Sequence, residues 1–188
     1  MRSSRSASVF SARHFDGLGS AAAIRQALSR LVKTGKIRRI RQGLYDLPRQ
    51  HPIIGQTAPD IMATVRTLME GSHSQWQFTG AYAANALGLS DQVPAKIVIQ
   101  TDGVPRRVSL GKLTLLFRRA ATRNLFGAGR PAGLVIQAIR HLRNDPDIPR
   151  HIARLKKRLD AKTKADLKSL MSKAPVWMRP LLQRIGEE

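Results

Sequence analysis

Between Gly19 and Pro48 the hydrophobic period of the chain changes once, from 3.6 to 2, and the change falls on a glycine. Gly19-Ser20-Ala21-Ala22-Ala23 reads as a helix start, with Ser20 placed to accept from the first free amides. Ile24, Leu28, Leu31 and Val32 then recur as one apolar stripe, and Gly35 ends the helix. Lys36-Ile37-Arg38-Arg39-Ile40-Arg41 and Leu44-Tyr45-Asp46-Leu47 follow as two β-prone runs about Gln42-Gly43, which predicts a hairpin. A helix that stops on glycine and gives way at once to a short hairpin has few folds open to it. With Ser11–Phe15 as a short supporting helix and Asp16–Gly19 as the turn, the segment predicts a winged helix-turn-helix. Its second helix covers residues 20–34 and its wing is the hairpin.

The polar residues of this segment suit a duplex. Arg25, Gln26, Ser29 and Lys33 fall on polar faces beside the stripe, with Arg30 at its flank. Arg and Gln can each make two hydrogen bonds to a guanine or adenine edge, and the small residues Ala21, Ala22 and Ala23 allow close approach. Lys36, Arg38, Arg39 and Arg41 on the hairpin are placed to hold phosphates, which fixes position without reading sequence. Together with the capping Ser20 these ten residues form the candidate DNA-binding set. The alternative is a small helix-hairpin unit whose charges are simply solvated. One expectation is unmet: a winged helix has a longer helix before the supporting one, and Met1 to Val9 are too few and too Ser-rich to supply it. Either the natural start lies upstream or a later segment fills the space.

Residues 48–59 carry Pro48, Pro52, Gly55 and Pro59 without a period and read as a linker. The expected organisation is a DNA-binding domain over 1–50 and a mixed α/β domain with a basic helical tail over 56–188, an α+β chain. In the second part, helices are expected at 58–69, 81–87, 133–143, 148–159 and 165–171. Strands are expected at 95–100, 106–108 and 113–117. The small residues of Thr79 to Leu89 imply close packing against a neighbour rather than a phosphate pocket, since neither glycine fingerprint for phosphate is present.

Charge narrows the partner class. Thirty-three Lys and Arg against twelve Asp and Glu leave a formal +21. An excess of that size favours polyphosphates through counterion release. It is densest at the ends: residues 1–50 hold eleven Lys/Arg and two Asp, and residues 138–188 hold thirteen against six. The tail cluster, Arg154, Lys156, Lys157, Arg158, Lys162, Lys164, Lys168 and Lys173, suits phosphates, an acidic protein or plain solvation equally. No cysteine is present, which excludes disulfides, thiolate metal sites and cysteine nucleophiles. No apolar run reaches the ~20 residues of a membrane span, and no apolar signal core follows the basic start, so a cytoplasmic location is expected. The five histidines lack metal spacing, no nucleophile elbow occurs, and no carboxylate pair stands out, so neither an enzyme nor a cofactor is expected.

Three stretches resemble the AbiEi-like antitoxins of bacterial abortive-infection toxin–antitoxin systems. They are Gly19–Ala23 with Ala27–Gly35 and Gly43–Asp46, then Thr79–Leu89 with Val93–Lys96, then Thr101–Gly103. The resemblance spans about residues 10–140, with a familiar tail at Pro175–Leu182. It implies an N-terminal winged helix-turn-helix that represses its own operon, on double-stranded DNA at the operator. It also implies a remaining domain that neutralises a cognate nucleotidyltransferase-like toxin.

Overall fold

The computed structural model describes residues 9–187 except Ile54 and Lys112; the Ser-rich start over residues 1–8 lies outside the described residues. Two compact units meet in sequence at Ser72/His73. In the first, strand β1 (Val9–Ser11) leads into a single 3-10 turn, Ala12–Phe15, and then helix α1 (Ala21–Lys33). Strands β2 (Arg38–Arg41) and β3 (Leu44–Asp46) follow as the hairpin. The three strands form an antiparallel sheet in the order β1-β3-β2. Ser20 caps α1 by accepting from the Ala23 amide at 3.2 Å. Gly35 stops it with a φ of +69°, a left-handed conformation that lets the Lys36 amide return to the Leu31 carbonyl at 3.0 Å.

The apolar stripe of α1 lies on this sheet. Leu28 is buried with Phe10, Ile37 and Tyr45, and Ile24, Leu31, Val32 and Phe15 pack around them. Phe10 meets Phe15 edge-on at 5.6 Å and stacks on Tyr45 at 6.0 Å, geometries that add to the area term. The unit continues through a two-stranded ribbon, β4 (Gln50–His51) with β5 (Gly55–Gln56), to helix α2 (Ile61–Met69).

Helix α2 departs from the expected organisation. The helix expected at 58–69 belongs to the first unit and not to a domain over 56–188. It packs along β1, burying Val65 and Met69, and Thr67 Oγ1 donates to the Val9 carbonyl at 3.3 Å. The 48–59 stretch is therefore a return loop inside a unit. Helix α2, later in the chain, is the helix that packs on β1 in this unit.

The second unit is built on the sheet β6-β7-β9-β8. Its strands are β6 (Trp76–Phe78), β7 (Lys96–Thr101), β8 (Arg106–Leu110) and β9 (Leu113–Arg119). The β7–β9 pair is parallel and the others antiparallel. Helix α3 (Gly80–Ala86) follows β6. Helices α4 (Pro131–His141), α5 (Ile148–Arg158), α6 (Ala161–Leu170) and α7 (Arg179–Gly186) complete the chain. The small residues of α3 do what their size implies: Ala83 and Ala84 are fully buried in a helical core with Ala132, Val135, Ile136 and Ile139 of α4. The expected helix at 133–143 begins at Pro131 instead, whose missing amide costs nothing in the first turn. The one expected at 165–171 begins at Ala161, because Asp160 caps it by accepting from the Thr163 amide at 2.7 Å. Helices and separate sheets of mainly antiparallel strands make the chain α+β. No helix among the described residues is long and apolar enough to cross a membrane.

Close approach at Gly133 sets the entry of α4. A Cβ there would overlap the Gly127 carbonyl and lie 2.9 Å from Gln77 Oε1. Gly133→Ala is expected to cost at least about 3 kcal/mol, the upper range for forced overpacking. Gly111→Ala, where a Cβ meets nothing within 4 Å, tests only backbone strain at a φ of +62°. Urea unfolding of both variants compares the two costs, and equal losses would remove the packing role given to Gly133.

Candidate nucleic-acid interface

The exposed side of α1 is set by the same stripe that buries the other side. Ala22, Gln26, Ser29 and Lys33 succeed one another at helical spacing along one line, and all four are exposed. Arg25 and Arg30 flank that line on opposite sides, also exposed. The helix therefore presents a narrow polar row between two guanidinium groups, opened by the small side chains of its first turn. Ser20 is exposed too, but its hydroxyl is engaged in capping.

The hairpin cations differ in exposure. Lys36, Arg39 and Arg41 are exposed and Arg38 is partly buried, and a register shift between Arg39 and Arg41 interrupts the simple alternation of β2. Arg38 lies opposite Asp46 in the β2–β3 register. Its Nε donates to Asp46 Oδ1 at 2.9 Å, and its Nη2 to Oδ2 at 2.5 Å and to the Thr57 carbonyl at 3.0 Å. Asp46 is almost fully buried. Hydrogen bonding to Asp46 holds the Arg38 guanidinium above its ordinary pKa, helped by the carboxylate charge and opposed by partial burial. Arg38 is thus a structural fork: three of its N–H donors are engaged within the unit, while its side chain stays 29% exposed. The lone acid in the facing strand was the sequence signal for this pairing.

The remaining polarity of the unit reinforces the contrast. From Ser20 to Arg49 the sequence holds eight Lys/Arg and one acid, Asp46, which is the buried partner of Arg38. Every exposed charge between Ser20 and Arg49 is therefore positive, and exposed Arg49 adds to the residues singled out from sequence. The supporting turn is pinned from behind. His14 Nδ1 accepts from the Ser11 amide at 3.1 Å, which leaves the ring hydrogen on Nε2, 3.1 Å from Glu70. That contact ties the turn to the end of α2.

Several tail arginines are occupied internally. Arg154 donates to the Gly88 carbonyl at 2.6 Å and Arg158 to Leu87 at 3.5 Å, closing the C-terminal end of α3 where positive charge is favoured. Arg143 lies over the Trp177 ring at 4.8 Å, and Arg179 bonds the Ala174 carbonyl. Lys157, Lys162, Lys168 and Lys173 are exposed along the same helices.

A family profile matches residues 1–167, nearly the whole chain. The chain belongs to DUF6088, a family of unknown function. Neither a curated protein nor a solved structure matches this DUF6088 chain.

Removing the Arg38 guanidinium strands the Asp46 carboxylate. Arg38→Ala is expected to destabilise the first unit by about 3 kcal/mol, and replacing both partners by apolar residues (Arg38→Met with Asp46→Leu) to recover most of that loss. Urea unfolding of the single and double variants reads this directly. A double variant no better than the single one would mean that the pair does not work as described.

Proposed function

We propose that this DUF6088 chain is a sequence-reading regulator that binds double-stranded DNA through a winged helix-turn-helix in its first unit. The observation that carries the reading is the exposed row of α1, flanked by Arg25 and Arg30 and continued by Lys36, Arg39 and Arg41, with no exposed acid among them. Element order supports it: strand, short turn helix, long helix and hairpin, in a sheet ordered β1-β3-β2 with α2 closing the far side. In this arrangement α1 enters the major groove, Arg25, Gln26, Ser29 and Arg30 meet base edges, and Lys33 with the exposed cations of the hairpin holds phosphates. The similarity to AbiEi-like antitoxins adds two proposals: that the operator is the chain's own, and that the second unit neutralises a nucleotidyltransferase-like toxin in the cytoplasm.

The two kinds of contact separate experimentally. Arg25→Ala is expected to cost about 1–3 kcal/mol on the preferred sequence and to relax base preference. Arg39→Ala is expected to weaken every duplex alike and to lower the salt slope by about one. Competition binding against randomised duplexes at several salt concentrations distinguishes them. Loss of the same size on every sequence for both variants would leave α1 without a reading role.

A further inference from the structure

The sheet of the second unit has one face that its helices cover only in part. Helix α4 sits over β6 on that face, where Gly133 approaches the Gln77 side chain. Across β7, β9 and β8 the residues of the same face are exposed or partly exposed. The registers place Lys96, Thr114 and Ser109 in one row, Val98, Leu116 and Arg107 in the next, and Gln100 beside Arg118 in the third. Residues paired in this way point to one side of a sheet. Lys96, Arg107 and Arg118 are exposed, Val98 and Leu116 are partly exposed, and none of the three cations has a hydrogen-bond or ion-pair partner among the described residues. Gln100 Oε1, at the boundary with the covered half, is a buried acceptor with no partner.

This is the anatomy of a protein-docking surface, an apolar centre inside a polar rim. The rim carries one sign of charge. Nucleic acid fits it less well: the face has no aromatic ring on which a base would stack, and phosphates offer nothing to Val98 and Leu116. Size also favours a helix. This part of the face spans about 10 Å across the strands and about 13 Å along them, which matches the width of one α-helix over about nine residues. We propose that this face binds an acidic amphipathic helix of a partner protein, whose apolar stripe covers Val98 and Leu116 while its carboxylates meet Lys96, Arg107 and Arg118. The surface is independent of the DNA-binding reading of the first unit.

The test uses the full chain and a labelled Glu/Leu peptide of about fifteen residues, near the length at which helices become viable. The peptide is apolar at i, i+3, i+4 and i+7, and a scrambled isomer of the same charge is the control. Fluorescence anisotropy should show the patterned peptide binding more tightly than the scrambled one, with affinity falling at least about tenfold in Arg107→Glu/Arg118→Glu, as for charges facing each other across an interface. Affinity should persist in Arg25→Glu/Lys33→Glu. Arg107→Ser/Arg118→Ser gives the same reading, with a smaller loss, if charge reversal disturbs folding. No binding, equal binding of both peptides, or unchanged peptide affinity in the sheet variants overturns the proposal. A loss of duplex affinity in those variants with the peptide unaffected would instead make the face a nucleic-acid surface, and would equally overturn it.

Discussion

A single buried carboxylate organises the N-terminal unit. Asp46 lies opposite both Val9 and Arg38 in the sheet, so its position is shared by all three strands. Through the Arg38 fork it also reaches the Thr57 carbonyl in the loop that returns toward α2. A charge removed from water in this way is costly unless every lone pair is used. The fork supplies two donors in one plane, which fixes the angle of the hairpin as well as its register. Arg39 and Arg41, exposed on the same hairpin, are carried by the strand pairing that this ion pair holds. The Asp46 end of the pair is buried and the Arg38 end keeps partial contact with solvent.

The positive charge of the chain is accordingly divided by duty. In the tail, arginines cap α3 and cover Trp177 and Phe126, so a run that looks like a binding patch is partly internal scaffolding. Burial even lowers the Arg140 pKa. On α1 and the hairpin the cations other than Arg38 have no hydrogen-bond or ion-pair partner among the described residues. Net charge alone makes no such distinction; it speaks for polyanions in general.

Much of the fold was legible in the sequence where a period had room to show itself. The stripe of α1 and the Gln42-Gly43 hairpin each repeat often enough to be read. So does the Lys96–Thr101 strand, whose Ile97 and Ile99 alternate inward. Strands of three residues, β1 and β6, carry no measurable period and were missed. The placement of α2 was not legible for another reason. Its own sequence predicts a helix, but which sheet that helix covers is decided by contacts with β1, such as Thr67 to Val9, 58 residues earlier. The structural pairing of Arg38 was not read from the sequence: as one of four cations in six residues it is unremarkable, and the lone acid Asp46 gains its meaning from the register that sets the two opposite each other. The other candidate residues lie on the surface as expected because helical spacing and the stripe determine them locally.

The central claim is that the first unit reads a DNA sequence rather than merely gripping phosphates. The direct measurement is the affinity of the purified full chain for the DNA upstream of its own gene and for a scrambled duplex of equal length, titrated across salt. The account predicts a preference for the upstream duplex of at least about a hundredfold, about 2.7 kcal/mol, that persists as salt weakens both affinities. Equal affinity for the two duplexes, collapsing together as salt rises, would contradict it.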